Sequence, residues 1–171
     1  NIIKSFYAAI LGLIFVGLFM IFNYRILGLI SVASLLTYGI FNLALYALIP
    51  VTITLPGIAG LILSIGMAVD ANILIFERIR DELNLGNTLI RSIDDGFRRA
   101  NSSILDGHLT TLISCLVLFI IGTSFVKGFA ATLGLGVLIS LFTSLNCSKT
   151  FLRFLTSYQF MRKKNFYLND F

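Results

Sequence analysis

The stretch Gly66-Met67-Ala68-Val69-Asp70-Ala71-Asn72-Ile73-Leu74-Ile75-Phe76-Glu77-Arg78-Ile79-Arg80 decides the fold. It lies in an apolar run that begins near Gly57, holds a single carboxylate, Asp70, well inside that run, and ends in a burst of charge. A run of this length and polarity reads as a helix crossing a hydrocarbon layer. An ionisable group at that depth is costly, and such groups mark ion or proton paths. The bland alternative is an acid held neutral, or hydrogen-bonded by a neighbouring helix for packing alone.

Composition extends that reading to the whole chain. Hydrophobic residues make up 57% and charged residues only 12%, where a soluble domain carries about a quarter charged. Mean hydropathy is +0.95. The expected fold is all-α: one polytopic membrane helix bundle over residues 1–171. A net charge of +5 could suggest a nucleic-acid binder, but most basic residues flank apolar spans and serve to anchor them. The expected surroundings are a lipid bilayer, with no nucleic acid. Cys115 and Cys147 lie in apolar segments without metal-type spacing, so they read as packing residues and no metal is expected. Trp is absent, leaving Tyr7, Tyr24, Tyr38 and Tyr46 for the interfacial role. The chain starts at Asn1 with neither an initiator Met nor a signal-peptide layout, which reads as the later part of a longer or processed product.

Five spans are expected, at about 5–23, 26–49, 57–78, 103–121 and 127–151, each long enough for a core that needs about 20 helical residues. Pro50 and Pro56 bound a short uncharged link between the second and third. Between the third and fourth lies the longest polar stretch. There Leu89, Ile90, Ile93 and Phe97 recur at helical spacing, which predicts a short cytoplasmic amphipathic helix at about 87–100, started by Asn87. With five spans, eleven basic residues fall on one side and only Lys4 and Lys127 on the other. The positive-inside rule then places the C-terminus and the charged third loop in the cytoplasm and the N-terminus outside. Asp70 would lie about 12 Å from the charged exit, at 1.5 Å per residue.

On the third span Gly66, Asp70, Glu77 and Asp81 share a face, and Asn72 points nearly opposite. Glu77 and Arg78 read as end charges near the interface. On the fourth span Ser103, Asp106, Gly107, Thr110 and Ser114 form a polar stripe. It is expected to turn into the bundle, with Thr110 and Thr111 near the depth of Asp70 and a hydrogen bond between the two helices. Helix glue is the competing reading of those hydroxyls. His108, the only histidine, sits off the stripe and reads as a packing or interface residue rather than a proton shuttle. In the fifth span Gly136 and Ser140 have the four-residue spacing that lets helices approach closely. No phosphate loop, Cys/His metal pattern or nucleophile–base pair is present, so an enzyme is not expected.

The motif from Gly66 to Ile79 resembles the fourth-helix motif of the SecD family of Sec-translocon accessory proteins. Leu55-Pro56-Gly57-Ile58-Ala59-Gly60 is similar to the stretch leading into it. Ser102-Ser103-Ile104-Leu105-Asp106 with Thr110-Thr111-Leu112 resembles the next helix, and Gly122-Thr123 with Val126-Lys127-Gly128-Phe129-Ala130 the turn into the last. The chain would correspond to the second to sixth of that family's six helices, without the first helix and the large extracytoplasmic domain. It departs at Gly107-His108, where the family usually has Ala-Asn, and at Gly122-Thr123-Ser124, where it has Gly-Thr-Gly. The resemblance implies a motor of the resistance-nodulation-division type in which proton flow assists preprotein translocation. Its implied partners are a SecF-type subunit, a SecYEG-type channel and the preprotein, in the cell inner or plasma membrane or an organellar one. It also implies that Asp70 is the proton-coupling residue with Asp106, Thr110 and Thr111 near it. Arg98 and Arg99 fall in the motif before that helix, and Asn72, Glu77, Arg78 and His108 are candidate supporting residues. The proton is the coupling ion and no cofactor is implied. Two other functions fit less of the pattern: a non-transporting scaffold for translocase subunits, and a small-solute proton-driven exporter.

Overall fold

The computed structural model describes residues 2–49 and 54–158. The link at 50–53 and the basic tail with Arg162, Lys163 and Lys164 lie outside the described residues. Among the described residues the elements are all helical: α1 (Ile2–Tyr24), α2 (Ile26–Leu48), α3 (Leu55–Asn84), α4 (Leu89–Ile121), α5 (Ser124–Phe142), a π-helical turn (Thr143–Cys147) and α6 (Ser148–Thr156). Five rods are long and apolar enough to cross a membrane, the last being the continuous stretch Ser124–Thr156. This is a multi-pass membrane helix bundle.

Local sequence explains where each rod starts and stops. α1 and α2 are joined by Arg25 alone, at φ 48°. The hairpin closes this tightly because Gly28 carries no side chain: a Cβ there would collide with the Met20 carbonyl and lie 2.7 Å from Ile21 Cα. α3 begins at Thr54, whose hydroxyl accepts from the Gly57 N–H, with Pro56 in the first turn where its missing N–H costs nothing. α3 ends at Asn84, and just beyond it Gly86, whose φ of 89° suits glycine, turns the chain toward α4.

Several expected boundaries differ. The segment 87–100 is not a separate amphipathic helix. It forms the first turns of α4, which continues without a break into the fourth span. No Pro or Gly interrupts 97–106, and Phe97, Ala100, Ile104 and His108 keep one buried face at helical spacing. Thr88, not Asn87, precedes the helix, and the Asn87 amide instead donates to Glu82 Oε2 at 2.7 Å. α3 likewise runs past residue 78 to Asn84, so the 30-residue α3 and 33-residue α4 reach about 45 and 50 Å and project beyond a core of about 30 Å. The fifth rod extends from Ser124 rather than 127 and passes through the π turn.

α3 is the centre of the bundle, packed mainly against α5 and α4; α1 lies on α2 and only grazes α3. The main core sits toward the end where α1 turns into α2 and α3 into α4. There Met20, Leu27, Ile30, Ile75, Phe76, Ile79, Ile93, Phe97 and Leu152 are all buried. Toward the opposite end the buried cluster is small, Cys115 with Leu133 and Val137. Small residues bring α3 and α5 together: a Cβ on Gly60 would meet Thr132 Oγ1 at 2.6 Å and the Phe129 carbonyl at 2.9 Å. Gly136 packs on Ser64 and the Tyr38 hydroxyl in the same way. Tyr38 is therefore buried inside the bundle, its hydroxyl 2.6 Å from Ser64 Oγ, and is not an interfacial anchor.

Candidate functional site

Asp70 lies fifteen residues after Leu55 and fourteen before Asn84, in the middle of α3. Helical geometry sorts its neighbours. Ala68, Val69, Ala71, Asn72, Ile75 and Phe76 are buried, whereas Gly66 and Asp70 lie on the exposed face. The carboxylate thus sits mid-span on a surface that this chain's own helices leave open.

Its opposite neighbour Asn72 is buried and organises a polar network. Ser148 Oγ donates to Asn72 Oδ1 at 2.7 Å and lies 2.7 Å from Ser34 Oγ, so three helices meet there. Ser148 is placed by the π turn just before it. Ser140 and Ser144, at steps of four on the same rod, face inward too. The turn from α-helix to π-helix is where Thr143 and Ser144 hydroxyls bond back to carbonyls one turn earlier.

His108 is buried where α4 crosses α5. Its Nδ1 is 2.9 Å from the Ile104 carbonyl and its Nε2 is 3.1 Å from Ser140 Oγ. The ring therefore holds the interface between α4 and α5.

The polar stripe of α4 faces the other way from what its composition suggests. Ser103, Asp106, Gly107, Thr110 and Ser114 are exposed, and the inward face carries Ile104, His108 and Cys115. The expected bond from Thr110 or Thr111 to α3 is not made. Thr110 Oγ1 donates to the Asp106 carbonyl at 2.8 Å and Thr111 Oγ1 to the Gly107 carbonyl at 3.0 Å, within α4 itself. In water such a stripe would be an ordinary surface. At membrane depth, polar side chains need partners other than lipid tails.

The charged end is a set of clamps. Glu77 accepts from the Tyr24 hydroxyl at 2.7 Å and from Arg80 at 3.3 Å, fastening the end of α1 to α3. Arg78 pairs with Asp81 at 3.5 Å and Arg98 with Asp95 at 2.9 Å, each within one helix. Arg99 is different: it reaches the nearly buried Glu82 at 3.0 Å and ties α4 to α3. Asp94 pairs with Arg153 at 2.7 Å and Lys149 at 3.6 Å, docking α6 on the start of α4. Sequence reasoning missed the Glu82–Arg99 clamp and the Asn72–Ser148 network. The repeat Ser140, Ser144, Ser148 is the sequence signal for the second.

The fold and site together define a polytopic membrane helix bundle with a carboxylate, Asp70, exposed at mid-span. The family described as "Protein export membrane protein SecD/SecF, C-terminal" matches residues 2–158, and the chain belongs to it. A protein translocase subunit SecD of Prochlorococcus marinus is 62% identical over 170 residues, covering 99% of this chain and 34% of that protein. The Synechocystis protein of the same name is 57% identical over 152 residues, covering 89% of this chain and 32% of its own length. The crystal structure of SecDF, a translocon-associated membrane protein from Thermus thermophilus, superposes with a TM-score of 0.89 at 37% identity. It covers 92% of this chain and 22% of that one. The chain spans about a third of the length of the curated relatives it matches.

Proposed function

We propose that this chain is the C-terminal transmembrane part of a SecD-type subunit of the Sec protein-export machinery, which uses the proton gradient to assist preprotein translocation. The observation that carries this reading is Asp70, exposed at the middle of a membrane-spanning helix. A deprotonated acid there demands a cationic or hydrogen-bonding partner and a protonated one does not, so proton uptake selects between helix arrangements. One proton crossing about 150 mV supplies roughly 3.5 kcal/mol, enough to bias a two-state arrangement a few hundredfold.

The outward polar stripe from Ser103 to Ser114 supports a second polypeptide on that face, and a SecF-type subunit is the partner we assign there. A SecYEG-type channel and the preprotein complete the assembly. The protein is a transport subunit rather than an enzyme, with the proton as coupling ion and no cofactor. The distribution of basic residues supports an N-terminus outside and a cytoplasmic C-terminus.

The test is preprotein export into vesicles under an imposed proton gradient, comparing the full-length protein with Asp70→Asn. That variant keeps size and hydrogen bonding but cannot ionise. Gradient-stimulated export is expected to disappear while assembly persists. Unchanged export would sink the motor reading and leave a scaffold as the better account.

A further inference from the structure

Asp70 and Asn72 stand two residues apart on α3, about 200° around it at roughly 100° per residue, so one faces out when the other faces in. Asp70 is exposed and Asn72 is 2% exposed. Whatever fixes the inward direction of Asn72 therefore fixes the outward direction of the acid. Among the described residues, Asn72 makes the only side-chain hydrogen bond from α3 to another helix between Ser64 and Glu77. The buried face just before it carries Ala68 and Ala71, small residues whose apolar contacts have little directional preference. A hydrogen bond holds its partner to a narrow range of angles.

That bond depends on a feature of the fifth rod. Ser140, Ser144 and Ser148 are all buried at steps of four, but they bond differently. Ser140 meets His108 of α4, and Ser144 donates to the Ser140 carbonyl of its own rod. Ser148 alone of the three reaches α3, at 2.7 Å from Asn72 Oδ1, while lying 2.7 Å from Ser34 Oγ of α2. The π turn separates Ser144 from Ser148: the Ser148 N–H bonds to the Thr143 carbonyl, five residues back instead of four. In an uninterrupted α-helix each step of four drifts by about 40°, so Ser148 would stand about 80° around from Ser140. The wider turn takes up part of that drift and brings Ser148 to Asn72.

We propose that Asn72 and Ser148 are positioning residues for Asp70: the bond between them, placed by the π turn, fixes the rotation of α3 that presents the acid on the open face. The consequence for transport rests on the reading of Asp70 as the coupling acid; the positioning itself is measured at the acid.

The experiment uses the full-length protein with its partner subunit in proteoliposomes and two readouts of Asp70. One is the rate at which dicyclohexylcarbodiimide, which attacks protonated carboxyls from the membrane phase, modifies Asp70, followed by mass spectrometry of the peptide. The other is the infrared carbonyl stretch of the protonated acid, assigned by its loss in Asp70→Asn. Ser148→Ala and Asn72→Ala are each expected to slow modification about threefold and to move the carbonyl band, because α3 is then free to turn the acid from the open face. The double variant should do no more than the larger single one, since both remove one bond. Ser144→Ala removes a buried hydroxyl from the same rod without touching α3, and should leave both readouts at the parent value. An unmoved band and rate in Ser148→Ala, additive effects in the double variant, or an equal effect of Ser144→Ala would each overturn the proposal. Gradient-stimulated export by Ser148→Ala should fall about threefold, in step with the modification rate. If Asp70→Asn leaves export unchanged, the motor reading fails while the modification rate and the carbonyl band still decide the positioning.

Discussion

Two glycines of α4 should respond to the same substitution with opposite signs. Gly96 lies against α3: an added Cβ would sit 2.6 Å from Ile79 Cγ1, 2.9 Å from Ile79 N and 3.0 Å from Ile79 Cα. A rotamer change can move Cγ1 but not the backbone atoms, so α3 and α4 must separate by several tenths of an ångström. Overpacking of this kind costs about 1–3 kcal/mol, and replacing Gly by Ala in a helix interior returns about 1 kcal/mol. Gly96→Ala should therefore destabilise by up to about 2 kcal/mol. Gly107, eleven residues on, has nothing within 4 Å of the corresponding position. Gly107→Ala should gain helix propensity alone and stabilise by about 0.5–1 kcal/mol. The assay is equilibrium unfolding in mixed micelles, on full-length protein purified away from its partners. Shifts of the same sign for both variants would refute the close packing of α4 on Ile79 of α3. If the proposed partner subunit sits on the face of Gly107, Gly107→Leu should weaken partner association in a pull-down while leaving the isolated protein folded.

Single contacts make three further outcomes testable. Arg99→Ala should cost about 1–2 kcal/mol in the same unfolding assay because it strands the nearly buried Glu82, whereas Arg98→Ala, on an exposed pair, should cost less than about 0.5 kcal/mol. Equal effects would contradict the clamp. Asn72→Leu should cost about 1–3 kcal/mol by leaving the Ser148 hydroxyl, which also pairs with Ser34, without its acceptor, and the Asn72→Leu/Ser148→Ala double variant should recover part of it. Tyr24→Phe should loosen the end of α1 from α3, seen as faster amide exchange in the last turns of α1 with α4 unchanged.

The spans and the division of α3 into two faces are legible in the sequence because both obey rules that act within one helix, but which face stays open is not. Hydrocarbon thickness sets length, and a period of 3.6 puts Gly66 and Asp70 on one side with Asn72 on the other. The direction of the α4 stripe is not legible. The rule that polar groups avoid lipid says that Asp106 and Thr110 need a partner, but not which chain supplies it. The expectation that they turn into this chain's own bundle assigns the interior to the wrong face, and Ile104, His108 and Cys115 occupy it instead. The threonine hydroxyls escape prediction for a related reason: a Thr in a helix can satisfy itself on the carbonyl four residues earlier, which removes the need for a cross-helix acceptor. Contacts that depend on hairpin register, such as Arg99 with Glu82, have no signature at either residue alone. The segment 87–100 reads as a separate helix because it is far more polar than residues 103–121, but polarity changes where a helix leaves the membrane without ending it.

The central claim is that Asp70 takes up and releases the proton that couples the gradient to movement. The direct measurement is proton flux into proteoliposomes holding the full-length protein with its partner subunit under an imposed potential, for the parent protein and for Asp70→Asn. The account predicts a gradient-dependent flux in the parent that falls to background in the variant while both remain assembled. A flux that persists undiminished in Asp70→Asn would contradict it, and would assign the acid on the open face of α3 to holding the partner alone.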